Sequence, residues 1–289
     1  MEEGVQTFNS QEAAKILGVN VSTIKRWTDS GKLACIRSAG GHRKFLMEHL
    51  AEFLDNNKNK TEKVNLFPIE NESDLRLSNR ILKGDFNYLT RFILEQSLAC
   101  NREKVQKVLN GLYLGQYPLH EIYDRVLTPV LHRIGGLWME EKITVIEEHI
   151  ASQTIRDALM RLQGIIRIPE KKKGKVLCLN LYSELHDMAL KMVDHVLELR
   201  GYRVLFSGQL TPMFAVDKIF ESFRPERVYI STTYVENREK VQEQFDDICG
   251  LAEMSGSKVF VGGQGFDRIN IDHPAVVRRL LSFSDVNTF

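Results

Sequence analysis

Across residues 75–166 apolar side chains return at intervals of three and four, as at Phe92, Ile93 and Leu98 and again at Val105, Val108, Leu109 and Leu112. That period is the buried stripe of amphipathic helices. With Pro118 and the pair Gly135 and Gly136 as punctuation, it predicts four or five helices packed as a bundle, most of whose Leu and Ile residues are core. Beyond residue 174 the pattern changes. Short apolar runs at 175–181, 203–206, 228–231 and 259–261 alternate with helix-patterned stretches near 188–200, 214–223 and 238–254. Strands alternating with helices predict a doubly wound parallel sheet. Residues 1–54 are patterned as two short helices and a hairpin, and the polar run at 55–63 has no apolar period, so it reads as a solvated linker. The expected division is a first domain at 1–54, a linker at 55–74, a helical bundle at 75–168 and an α/β domain at 169–289.

In the first domain, Asn9 can cap a helix and Glu12 can reach back to it, so a helix should start near Ser10 and stop at Gly18. Asn20 should cap a second helix at 21–30, with Thr23, Lys25 and Arg26 on one side and Ile24 and Trp27 on the other. Two short helices across a glycine turn form a helix-turn-helix, whose second helix enters the major groove of duplex DNA. Gly31 should end that helix, and 32–37 reads as a short strand. The paired glycines Gly40 and Gly41 then predict a hairpin, whose arm carries Arg37, His42, Arg43 and Lys44, a basic surface suited to phosphates. Ala13, Ala14, Leu17, Gly18, Val19, Thr23, Ile24 and Trp27, followed by Gly31, Leu33 and the run Gly40-Gly41-His42-Arg43, resemble the winged helix-turn-helix of the MerR family of transcription regulators. Members commonly continue into a long dimerising helix. The polar linker departs from that pattern, so dimerisation must come from elsewhere.

Composition narrows the class without naming a partner. Hydrophobic residues at 43% and charged residues at 27% describe a globular protein with enough apolar material for real cores, and a net charge of +1 argues neither for nor against nucleic acid. No apolar run approaches the roughly 18 residues of a membrane span, and the start Met1-Glu2-Glu3 lacks the organisation of a signal peptide, so a cytoplasmic protein is expected. Cys35, Cys100, Cys178 and Cys249 have no metal or disulfide spacing and read as reduced thiols.

The candidate chemistry gathers at strand ends. The run from Leu177 closes on Glu184-Leu185-His186, a carboxylate two residues before an imidazole that a loop would present ahead of a helix. A carboxylate on one ring nitrogen fixes tautomer and orientation for a metal on the other. The stretch 208–212, Ser231, Thr233, Gly262 and Gly263 follow later strands, and in doubly wound sheets ligands lie at these carboxyl ends. Glycines there would let a bulky ligand approach the backbone. In the helical stretch, Trp138 stands shortly after the glycine pair. Glu148 and His149 follow in what reads as helix interior, where polar groups need solvent or a ligand.

The spacing of Trp138, Glu148 and His149 resembles the helical half of the cobalamin-binding unit in light-sensing transcription regulators of the CarH and LitR type. The layout Glu184-x-His186-x-x-Ala189, Ser231-x-Thr233 and Gly262-Gly263 resembles the cobalamin-binding signature, with Ala189 where that signature has glycine. The resemblance implies that Trp138 covers the upper face of the corrin and that Glu148 and His149 contact the adenosyl group of adenosylcobalamin. It also implies that His186 is the lower cobalt ligand, that Glu184 orients it, and that Ser231, Thr233, Gly262 and Gly263 line the slot for the nucleotide tail. Some members place a histidine after the tryptophan, where this chain has Met139. The expected function is a DNA-binding regulator, a repressor and not an enzyme, that works as a homo-oligomer, a dimer or tetramer, under the control of adenosylcobalamin, with either light or cobalamin itself as the signal. Two alternatives stay open: a cofactor-independent regulator whose relaxed pocket answers to a protein partner, and a corrinoid enzyme or methyl carrier.

Overall fold

The computed structural model describes residues 7–53, 67 and 72–289, apart from 18, 39, 47, 48, 51, 212 and 215. The expected linker falls almost wholly outside the described residues, as does the helix stop at Gly18. Contacts divide the chain into two units, Met1–Arg167 and Ile168–Phe289.

The first unit opens with α1 (Ser10–Ile16), whose start is fixed by a reciprocal cap. Asn9 Oδ1 accepts from the Glu12 backbone N–H at 3.0 Å, and Glu12 Oε2 accepts from the Asn9 N–H at 2.7 Å. In α2 (Val21–Asp29) Ile24 is buried against the small core of Ala13, Ile16, Leu17 and Phe45, and Trp27 lies on the Phe53 ring with centroids 4.5 Å apart. Asn20 sits at the N-cap, but its side chain makes no capping bond; its own carbonyl accepts from the Thr23 N–H at 2.9 Å. The strand expected at 32–37 contracts to β1 (Ile36–Arg37), because the N–H groups of Lys32 and Leu33 turn back to the Trp27 carbonyl. β2 (Arg43–Lys44) pairs with it antiparallel to complete the hairpin.

Five helical stretches follow: α3 (Glu72–Leu82), α4 (Phe86–Leu98), α5 (Arg102–Leu114), then α6 (Leu119–Ile122) running through a π-helical turn (Tyr123–Leu127) into α7 (Thr128–Met139), and α8 (Val145–Gln163). Asp85, Asn101 and Thr144 cap three of them, and Leu89, Ile93, Val108, Leu109, Leu112, Tyr123, Ile155 and Leu159 form the core. Gly135 and Gly136 do not punctuate this stretch; both lie inside α7. A glycine costs a helix only about 0.5–1 kcal/mol relative to alanine, and the burial of Val130 and Ile134 on the same helix outweighs that.

The second unit is a five-stranded parallel sheet in the order β4-β3-β5-β6-β7. Its elements are β3 (Gly174–Asn180), α9 (Met188–Leu199), β4 (Tyr202–Phe206), α10 (Val216–Phe223), β5 (Arg227–Ser231), α11 (Arg238–Ser255), β6 (Lys258–Gly262), a 3-10 turn (Gln264–Asp267), β7 (Val276–Leu280) and α12 (Phe283–Thr288). The sequence pattern misses β7, an edge strand in which Arg278 and Arg279 break the apolar run, so β6 is not the last strand. Strand order reverses at β3 beside β5, the place where open sheets of this kind form a crevice. Leu177, Leu179, Val228, Ile230, Val259 and Val261 join α10 and α11 in one apolar core. Alternation sends Cys178, Asn180, Tyr229 and Phe260 to the other face, and α9 packs on β3, β4 and β5. Among the described residues no helix is long and apolar enough to cross a membrane.

Candidate functional site

At the carboxyl end of β3 the chain turns at Ser183, with φ of +59°; Glu184 is fully buried, whereas the His186 side chain is 64% exposed. Glu184 Oε1 accepts the His186 backbone N–H at 2.7 Å and lies 2.6 Å from His186 Nδ1. Its Oε2 accepts the backbone N–H groups of Thr233 and, at 3.1 Å, Tyr234. One carboxylate therefore ties the loop after β3 to the loop after β5, across the crevice where strand order reverses. Burial opposes its ionisation, but the bonds from His186, Thr233 and Tyr234 prevail and hold the carboxyl below its ordinary range. An ionised Glu184 makes Nδ1 the protonated nitrogen, which leaves Nε2 as the one with a lone pair to offer a metal.

The loop after β4 is fastened to the same place. Gln209 Nε2 donates to the Leu185 carbonyl at 2.8 Å, and the Leu210 N–H donates to the Glu184 carbonyl at 3.3 Å. Asn180, the last residue of β3, receives no bond on its buried Oδ1, while its N–H donates to Thr211 Oγ1 at 3.2 Å and its Nδ2 to the Gly208 carbonyl at 3.0 Å. Gln209 and Thr211 fall in the stretch 208–212 that the sequence places at a strand end, whereas Asn180 was missed; its one available signal was an asparagine closing the alternation Val-Leu-Cys-Leu-Asn. Leu185, Leu210, Phe214 and Tyr234 stand exposed on these loops. Apolar exposure gathered in one place marks an interaction surface.

Of the remaining sequence candidates here, Ser231 is buried at the end of β5, and Thr233 contributes through its backbone. Ala189 is half-buried in the first turn of α9. A side chain on Gly262 would meet only the Leu280 carbonyl, at 3.6 Å, so its surroundings are open. Gly263 is different: its φ is +104°, and a Cβ would fall 2.2 Å from the Thr232 carbonyl oxygen. Its lack of a side chain is thus demanded by the packing of its own loop, not by room for a ligand.

Trp138 lies in the last turn of α7 and Glu148 in the first turn of α8, and the short connection at 140–144 puts both at one end of the bundle. Glu148 and His149 lie within α8, as the sequence pattern expects, but in its first two turns. Thr144 and Glu147 form a capping box just before them, and the His149 side chain is 69% exposed. Glu148 Oε2 lies 2.8 Å from His149 Nδ1, and its Oε1 accepts from Ser152 Oγ at 2.7 Å. Around this polar pair Trp138, Met139, Val145, Ile146 and Ile150 are all exposed. A tryptophan beside four exposed aliphatic side chains suits a large, partly apolar ligand.

In the helix-turn-helix, Lys25, Arg26, Arg37 and His42 are exposed, while Thr23 and Lys44 are half-buried. Arg43 departs from expectation: its guanidinium pairs with Asp29 at 2.6 Å, and its side chain is only 18% exposed.

The donor set limits what could bind at the sheet edge. Among the described residues no group of three or more His, Cys, Asp or Glu side chains could hold a metal ion. His186 offers one oriented nitrogen, which fits a metal that arrives with its other ligands already in place. A buried, unbonded Asn180 Oδ1 under the same edge and the open surroundings of Gly262 fit a polar appendage of such a group.

Comparison with known proteins accords with this. A helix-turn-helix domain family matches residues 7–58, and a B12 binding domain family matches residues 76–163, the helical bundle. Over 290 aligned residues the chain is 26% identical to the HTH-type transcriptional repressor CarH of Myxococcus xanthus, covering 95% of this chain and 93% of that protein. Among solved structures, the monomethylamine corrinoid protein of Methanosarcina barkeri aligns with a TM-score of 0.54 at 14% identity, over 70% of this chain and 94% of that one, which shows a shared fold. The chain thus joins a DNA-binding helix-turn-helix domain to a B12 binding domain, the make-up of a cobalamin-controlled transcription regulator, and is similar along nearly its whole length to CarH.

Proposed function

We propose that this protein is a repressor that binds its operator as a homo-oligomer while it holds adenosylcobalamin, and releases DNA when the adenosyl group is lost. The observation that carries the reading is the Glu184 carboxylate, which holds His186 by Nδ1 and is itself anchored to the loop after β5. His186 Nε2 would be the lower ligand to cobalt, and Ser231, Asn180 and Gly262 would meet the nucleotide tail. Trp138, Glu148 and His149 would receive the adenosyl side, the tryptophan excluding water and the Glu148 carboxylate accepting hydrogen bonds. When bound, the cofactor supplies a light-sensitive cobalt–carbon bond, and the protein supplies orientation and a change of assembly. Such a role needs no catalytic residue, so the protein is read as a non-enzyme.

The purified chain, mixed with adenosylcobalamin in the dark and passed through gel filtration, is expected to carry corrin absorbance with it. His186→Ala is expected to lose cofactor on the column and to shift the spectrum of what remains toward that of cobalt without a nitrogen ligand. A colourless wild-type peak would overturn the reading and favour regulation through a protein partner.

A further inference from the structure

At the end of α2 the Asp29 carboxylate meets both arms of the hairpin. Its Oδ1 lies 2.6 Å from an Arg43 guanidinium nitrogen and 3.5 Å from one of Arg37. Arg37 and Arg43 are also direct partners in the β1–β2 ladder. Like charges placed opposite one another weaken a hairpin, and a carboxylate in the last turn of a helix opposes the helix dipole. Each placement is unfavourable alone. Brought together, the carboxylate relieves the repulsion between the arginines, and they compensate its position on the helix.

The two arginines are not held alike. Arg43 makes the shorter contact, its side chain is 18% exposed, and its Nε is buried without a hydrogen-bond partner. Held on Asp29 and largely covered, this guanidinium is less available to a phosphate than an exposed one. Arg37 is 57% exposed and its contact is at the limit of a hydrogen bond, so its charge remains open to solvent. We infer that Asp29 is a positioning residue of the DNA interface: through Arg43 it fixes the hairpin against the recognition helix, and it leaves Arg37 as the arm residue that meets phosphate. This rests on the DNA-binding reading of the domain. It divides a basic arm that looks uniform in sequence into a structural and a contacting arginine.

The test uses the full chain and two probes: a duplex selected by the wild type from a random-sequence pool, and a mixed-sequence duplex of the same length. Affinities are measured across a salt series. Arg37→Ala should weaken both duplexes alike and reduce the log–log salt slope by about 0.9, the loss of one phosphate contact. Asp29→Ala and Arg43→Ala should leave the slope unchanged and weaken the selected duplex, relative to the mixed one, by about tenfold. Asp29→Glu should restore most of that preference, a rescue that a loss of fold would not show. Tighter binding of both duplexes by Asp29→Ala, with a steeper slope, would make the carboxylate a charge mask and overturn the inference; so would a slope reduction in Arg43→Ala equal to that of Arg37→Ala. If Asp29→Ala lacks the wild-type circular dichroism, the two arginine variants decide the matter between them. A wild type that selects no duplex overturns the DNA-binding reading itself, an outcome separate from these.

Discussion

Glu184 is the residue on which the sheet-edge loops converge, and its charge state sets their geometry. Replacing it with glutamine keeps the shape but swaps one acceptor oxygen for an N–H₂ group. That group must face either the His186 N–H or the N–H groups of Thr233 and Tyr234, and a buried donor left without an acceptor costs about 1–3 kcal/mol. Urea unfolding at neutral pH should show Glu184→Gln destabilised by that amount, and an unchanged midpoint would mean that the loops are held by other contacts. The pH dependence has a definite sign. A carboxyl depressed in the folded state contributes stability that is complete above its ordinary pKa near 4.5 and is lost as pH falls through the lowered value. Glu184→Gln should therefore lack part of the wild type's loss of stability in acid. In sequence this residue was legible as a carboxylate near a histidine; its burial, and the two backbone donors about fifty positions further on, were not.

Among the elements, α9 carries a second titratable group whose burial has consequences. His195 is fully buried, and desolvation, with the Lys191 ammonium adding to it, brings its pKa down to about 3. The unfolded chain takes up a proton below about 6.5 and the folded one does not, so stability is complete above that pH and falls as pH drops toward about 3. The slope is at most about 1.4 kcal/mol per pH unit. Measured in urea at pH 7.5 and 5.5, the wild type should lose about 1.4 kcal/mol more over this interval than His195→Asn. Equal losses in the two proteins would show that His195 titrates alike folded and unfolded. The elements differ in how far the sequence revealed them. The two sheet-face periods of β3, β5 and β6 were plain because one face is wholly apolar. β7 was hidden because an edge strand tolerates Arg278 and Arg279, and Gly135 and Gly136 misled because α7, with Val130 and Ile134 buried, continues through them.

At the scale of the molecule, the proposed switch predicts a change in DNA binding without any change in the DNA-contacting residues. One winged module covers half a site, and joining modules raises affinity by roughly a hundredfold or more when the geometry permits both to engage. Loaded with adenosylcobalamin in the dark, the protein should bind a selected duplex at least about tenfold more tightly than after illumination, with a larger species on gel filtration. Equal affinity and size before and after light would leave cobalamin without light as the signal, or exclude a cofactor switch if cobalamin itself has no effect.

By itself the sequence determined the order and class of the parts, since the helical and strand periods, the capping residues and the turn glycines are local. It also singled out His186, Glu184 and Trp138 as the candidates for a cofactor site, through their resemblance to a cobalamin-binding signature. Tertiary structure alone decided what each side chain does with its charge. Folding put Asp29 within reach of both Arg37 and Arg43 and left one of the two arginines largely covered and the other exposed. It brought Thr233 and Tyr234 to Glu184, and it placed the Thr232 carbonyl where only Gly263 can pass. These are contacts between residues distant in sequence, and no periodicity along a chain encodes which of two similar side chains will find a partner.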